Sequence, residues 1–301
     1  MKHLAKALLI TLGYVVVFYG IQIAIAALFV AAVVIHHTLQ NSGAPLMSEE
    51  DVSEIIKPHL ALSVLVSSTI TIPVILGIQA LRKVRFDQTW LPNGAPPLIC
   101  GLIVLLACSF NIALQMTLDV TGAERFFTNH QQDFIQPLLQ GRFIIVLLAI
   151  GIMAPVLEEI IFRGCIFTEL RRTVPLPAAL VLQAVAFGLI HLNPLQTAYA
   201  TLLGLLLGVV YMWFRSIWAA MLLHICFNSF SVIFNRLAGE AEFPLEIKLG
   251  LIVGGFALTA ATYLTLRRSR LPGHGGVWEP AMHSAAAGRP TPPASPPPIQ
   301  S

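Results

Sequence analysis

The chain has 301 residues, of which 56% are hydrophobic and 11% charged, with a formal net charge of +3 and a mean hydropathy of +0.78. An ordinary soluble domain carries about 25% charged residues, so a water-soluble enzyme is excluded. The basic residues sit in small groups between apolar runs and form no continuous patch, which excludes a nucleic-acid partner.

Apolar runs occur at 8–35, 60–80, 98–118, 143–168, 177–192, 196–214, 217–234 and 247–266. A bilayer core takes about 20 apolar residues per helix. The expectation is an all-α, polytopic membrane helix bundle of about eight crossings. After the first run, Ser48-Glu49-Glu50-Asp51 has the acids and the hydroxyl of a capped helix start. After the third, Thr121 and Glu124 have capping-box spacing. Phe126, Phe127, Phe134, Ile135, Leu138 and Leu139 then recur at helical intervals, the pattern of an amphipathic helix on the outer membrane surface. Beyond the last run, Arg267, Arg268 and Arg270 lead into a Pro/Ala-rich tail whose composition predicts disorder. The division expected is 1–142 (three helices and the outer segment), 143–234 (a catalytic core), 235–266 (the last helix) and 267–301 (the tail).

Lys and Arg set the orientation. With the N-terminus inside, the inner segments hold Lys2, Lys6, Arg82, Lys83, Arg85, Arg171, Arg172, Arg215, Arg267, Arg268 and Arg270. The outer segments hold only Lys57, Arg125, Arg142, Arg236 and Lys248. Both termini are expected in the cytoplasm. Cys100, Cys108, Cys165 and Cys226 all lie inside apolar runs and read as small buried hydrophobes. Gly204 with Gly208, and Gly250 with Gly254, have the small-xxx-small spacing of close helix packing, with dimerisation as the other use.

The chemistry must lie among polar residues stranded inside these runs, where a charge costs about 2.5–3.5 kcal/mol on insertion scales. The fourth run contains Glu158-Glu159-Ile160-Ile161-Phe162-Arg163-Gly164. Glu159 and Arg163 are four apart, acid first, the favoured orientation of an intrahelical pair. Glu158 lies about 100° around the helix and is left without that partner. Such a carboxyl is suited to general-base work. An ion cluster that merely holds helices together is the structural alternative. Phe187 and His191 share a face of the fifth helix, and His224 and Asn228 share a face of the seventh. One free carboxyl, two imidazoles and an amide suit water activation and oxyanion stabilisation, with or without a metal.

Glu158-Glu159-x-x-x-Arg163, Phe187-x-x-x-His191 and His224-x-x-x-Asn228, in that order on successive apolar runs, resemble the three motifs of the CPBP family. These are the CAAX-protease and bacteriocin-processing intramembrane endopeptidases, also called the type II CAAX endopeptidase or abortive-infection family. The resemblance spans 143–233. It implies a catalytic glutamate at Glu158 and a histidine at His191 that helps hold the attacking water or a metal. It implies oxyanion groups at His224 and Asn228, and a supporting pair at Glu159 and Arg163. It also implies either a divalent metal, zinc foremost, on Glu158, His191 and His224, or a metal-free glutamate mechanism.

The expected partners are the lipid bilayer and a membrane-associated peptide or protein substrate, in a bacterial plasma membrane, with a homodimer as a further expectation. A transporter that binds or relays ions or protons on the same buried Glu and His residues is the alternative. One distance fits poorly. Along a straight fifth helix from Pro175, His191 lies about 22 Å in, whereas Glu158 is expected in the cytoplasmic half of the fourth.

Overall fold

The computed structural model describes residues 2–40, 48–83, 96–123, 136–238 and 241–269. In chain order the helices are α1 (Lys2–Gln40), α2 (Glu49–Ile56), α3 (Leu60–Leu81), α4 (Pro97–Thr121), α5 (Gln136–Leu139), α6 (Phe143–Leu170), α7 (Leu176–Leu189), α8 (Pro194–Phe214), α9 (Ile217–Ala238) and α10 (Leu245–Arg268). No strand occurs among the described residues. Seven helices are long and apolar enough to cross a membrane: α1, α3 with the turns before it, α4, α6, α8, α9 and α10. The chain is a multi-pass membrane protein.

The run at 177–192, expected as a crossing, instead forms the 14-residue α7. It is about 21 Å long, short of a bilayer core of about 30 Å. It packs along α8 as the other arm of a hairpin, because three glycines remove the side chains that would hold the arms apart. A Cβ on Gly188 would meet Thr201 Oγ1 at 2.1 Å, one on Gly204 would meet Phe187 Cδ1 at 3.1 Å, and one on Gly208 would meet Leu180 Cδ1 at 2.5 Å. The pair Gly250 and Gly254 meets nothing within 4 Å, and the close approach on α10 falls at Gly255, against Ala113 and the Ser109 carbonyl of α4.

Capping follows the sequence at α2. Ser48 Oγ accepts from the Asp51 amide at 3.1 Å and Asp51 Oδ2 accepts from the Ser48 amide at 3.0 Å. Of the pair Thr121 and Glu124, only Thr121 is among the described residues. It is the last residue of α4, its hydroxyl donates back to the Thr117 carbonyl at 2.7 Å, and Gly122 follows in the left-handed conformation. Of the outer segment, Leu138 and Leu139 fall in α5, whereas Glu124, Phe126, Phe127, Phe134 and Ile135 lie outside the described residues, as does the tail beyond Ser269. No disulfide joins the four cysteines.

Burial is uneven. The most apolar window of α1 is 6% buried, against 44% for those of α6 and α9. The polar side chains that the sequence singles out therefore sit on the helices at the centre of the bundle. Helix α1 is tied on by polar contacts at two levels. Tyr19 donates to the Ile190 carbonyl. Lower down, Arg82 donates to Tyr14 and to Glu169 Oε1, the latter at 2.7 Å, which joins α1, α3 and α6 at one end.

Candidate active site

Helix α6 is not α-helical throughout. Two π-helical stretches, Leu147–Met153 and Ile160–Ile166, flank the α-helical Ala154–Glu159 that carries both glutamates. Such π segments recur at functional sites because they re-aim side chains within one helix. The first has a local cause. Pro155 has no N–H, so it can pair neither the carbonyl of Gly151, four residues back, nor that of Ile150, its partner in the π register. Ser229 Oγ supplies the missing bond to Gly151 at 3.1 Å, and Asn228 Nδ2 donates to the neighbouring Ile150 carbonyl at 3.2 Å. One face of α9 thereby holds α6 in its irregular register.

Counted from Leu170, Leu176, Phe214 and Ile217, the ends of their helices that lie on one side of the bundle, Glu158, Phe187, Gly204 and His224 lie about 18, 17, 15 and 10 Å in. They meet at one level, near the middle of the bundle. Arg163 Nη1 donates to Glu159 Oε1 at 2.6 Å, and His224 Nδ1 lies 2.8 Å from the same oxygen. The other ring nitrogen, His224 Nε2, faces Glu158 Oε2 at 3.6 Å. Arg163 and Glu159 are fully buried, His224 nearly so, and the Glu158 side chain is 13% exposed. The spacing argument correctly pairs Glu159 with Arg163. It leaves Glu158 without a partner, and here the structure differs, because an imidazole from α9 stands between the two carboxylates. A buried ion pair needs further hydrogen bonds to offset its desolvation, and His224 and the Gly204 carbonyl, 2.9 Å from Arg163 Nη2, supply them.

Phe187 is the hub around which these groups assemble. Its ring lies 4.9 Å from Arg163 Cζ, 5.5 Å from the His224 ring, 5.3 Å from the His191 ring and 5.1 Å from Phe162. The guanidinium over the ring face is a cation–π contact. His191 Nδ1 bonds the Phe187 carbonyl at 2.9 Å, one turn back, so Nδ1 carries the proton and Nε2 is an acceptor. The distance that fits poorly in the sequence resolves on both sides. Glu158 lies just past the midpoint of α6, about 18 Å from Leu170, and α7 ends at a turn that brings His191 back over Phe187. Leu192, at φ 56°, and the Asn193 cap, which accepts from Gln196 N at 2.9 Å, fix that turn.

Gln183, one turn before Phe187 on α7, carries no motif and is missed by sequence reasoning. It is fully buried, and its Nε2 donates at 3.1 Å to the Gly204 carbonyl that Arg163 also uses. Its spacing of four from Phe187 and eight from His191, on the same face, is the signal that could have found it. Asn111 of α4, also unmarked, holds the Phe227 carbonyl beside Asn228 at 3.0 Å.

A cavity of about 820 Å³ lies against His191, His224 and Asn228 and runs toward Asp119 and Lys248, whose side chains pair at 2.7 Å. Glu158 is not in its lining; His224, which is, lies 3.6 Å from Glu158. Among the described residues, no three His, Cys, Asp or Glu side chains group closely enough to hold a metal ion. The Phe187 ring stands between His191 and His224, so His191 is set apart from Glu158 and His224, and these positions do not fit a three-ligand site.

Residues 140–230 match the family model described as type II CAAX prenyl endopeptidase Rce1-like. The chain is 30% identical over 180 residues to YdiL of Bacillus subtilis (strain 168), a provisionally named membrane peptidase, covering 56% of this chain and 71% of YdiL. No solved structure matches. The matched segment begins before Glu158 and ends after Asn228, so it contains the whole constellation. The chain belongs to the CPBP family, the type II CAAX endopeptidases that cut peptides within the membrane.

Proposed function

We propose that the protein is an intramembrane endopeptidase that hydrolyses a peptide bond in a membrane-associated peptide, with Glu158 as general base. The observation that carries this reading is the buried relay from Arg163 through Glu159 and His224 to Glu158, set against a cavity of about 820 Å³. Glu159, paired with Arg163, accepts a hydrogen bond from the Nδ1–H of His224 and so orients the ring, the role a buried acid plays in hydrolytic triads. Nε2 is then free to exchange a proton with Glu158.

A water lying against Glu158 and His224 loses its proton to Glu158 as its oxygen bonds to the scissile carbonyl carbon. The remaining N–H of Asn228, whose other N–H is tied to Ile150, donates to the oxyanion that develops. His191 Nε2, on the cavity side of Phe187, accepts a hydrogen bond from a second water in the cavity. Glu158 passes its proton through His224 to the leaving nitrogen as the C–N bond breaks, which restores both groups. Substrates compatible with this site are prenylated C-terminal tails and leader peptides presented at a bacterial plasma membrane.

Protein in detergent, supplied with a membrane peptide and no ion gradient, is expected to cleave it, and Glu158→Gln is expected to remove cleavage. Flux that depends on a gradient, with no peptide cut under any condition, would assign the same residues to transport instead.

A further inference from the structure

The cavity is lined by more carboxamides than the proposed hydrolysis uses. Gln115 on α4 and Asn228 and Asn235 on α9 each have one nitrogen fixed within the bundle. Gln115 donates to Asn111 Oδ1, Asn228 to the Ile150 carbonyl at 3.2 Å and Asn235 to the Ser231 carbonyl at 3.0 Å. With the nitrogens so placed, the three side-chain oxygens have no partner among the described residues, and all three residues line the cavity. An acceptor left unmatched inside a protein costs stability unless a ligand or water fills it.

Their heights form a ladder. The Asn111–Phe227 contact sets α4 and α9 level with each other. From that level Asn228 lies about 1.5 Å, Gln115 about 6 Å and Asn235 about 12 Å along their helices at 1.5 Å per residue, so the steps are about 4.5 and 6 Å. An extended peptide turns an N–H to the same edge every second residue, about 6.6 Å apart. Steps of that size along the helix axes suit three successive same-edge N–H groups of one strand inclined to those axes, running from the reaction centre toward Asp119 and Lys248.

The geometry points to a backbone-binding track: Gln115, Asn228 and Asn235 accept hydrogen bonds from the main-chain N–H groups of an extended peptide, so the ligand class is a polypeptide segment held by its backbone. This rests on the reading of the cavity as the substrate site, but the track can bind whether or not the protein cuts.

The test therefore measures binding. Wild-type protein in detergent is titrated with a fluorescent, Ala/Ser-rich dodecapeptide and with the same peptide N-methylated at every residue, which removes the backbone donors of both edges and leaves the side chains alone. The unmodified peptide is expected to bind below about 1 mM, and each lost hydrogen bond is expected to weaken binding by about 3- to 10-fold. Gln115→Leu and Asn235→Leu are expected to weaken the unmodified peptide and to leave the methylated one unchanged. Equal affinity for the two peptides in wild-type protein overturns the track, and so does no binding by either. Binding that depends on the backbone, with no cleavage of any peptide, keeps the track and overturns the protease reading.

Discussion

Arg163 of α6 and Gln183 of α7 donate to one and the same acceptor, the carbonyl of Gly204 on α8, at 2.9 and 3.1 Å. Three helices are thereby pinned at the level of the relay. A Cβ at Gly208, one turn on, would meet Gln183 Nε2 at 2.8 Å, so the missing side chain is what lets the amide through. The small-xxx-small pair on α8 serves the site as well as the packing.

Gln183→Met keeps the length of the side chain and removes its donor. The expected loss is about 1 kcal/mol, the net worth of a neutral hydrogen bond, read as a lower melting temperature in detergent. An unchanged melting temperature would show that Arg163 alone holds the Gly204 carbonyl.

Breaking a buried pair from one side costs roughly 3–5 kcal/mol. Glu159→Gln is expected to lose stability on that scale, since Arg163 then lacks its counter-ion. Arg163→Leu is expected to be as damaging. The double variant should recover much of the loss, because the Gln oxygen can still accept from His224 Nδ1 and no lone charge remains. A double-mutant cycle on melting temperature reads the coupling, and purely additive losses would dissolve the pair.

Glu158→Gln removes no ion-pair partner of Arg163, so its melting temperature is expected to stay close to that of the wild type. Peptide cleavage should fall by about 10²–10⁴-fold, the usual contribution of a general base. Turnover within a few-fold of wild type would take the base role away from Glu158.

The register of α6 rests on a complementary pair of defects. Ser229→Ala should destabilise the protein by leaving the Gly151 carbonyl unmatched, at a cost of about 1–3 kcal/mol. Pro155→Ala restores a backbone N–H four residues on, so the pair Pro155→Ala with Ser229→Ala should be more stable than Ser229→Ala alone. Equal melting temperatures for the single and double variants would show that the hydroxyl does not replace the lost amide.

The proposed steps run through side chains alone. Cleavage is therefore expected to survive exhaustive chelation, with metal content measured on the same sample. Loss of activity that zinc restores, with about one ion bound per chain, would mean that His191 moves past Phe187 to join Glu158 and His224.

What the sequence by itself determined is the part set by local physics. Apolar run length dictates a membrane bundle, because unpaired backbone groups cannot face lipid. A spacing of four dictates the Glu159–Arg163 pair, because residues i and i+4 share a helix face. Ser48 and Asp51 specify their own cap. What lies beyond that range was decided only in three dimensions. Glu158 gains His224 from a helix more than sixty residues away. The freed carbonyls of Ile150 and Gly151 are met by α9, and Gln183 finds Arg163 through a carbonyl on a third helix. No periodicity within one run encodes these contacts, since each depends on the relative height and rotation of two helices. Those are set by where glycines let backbones close and where Pro155 loosens α6. The short α7 shows the same division: its apolar composition was legible, and its pairing with α8 was decided where Gly188, Gly204 and Gly208 let the two backbones close.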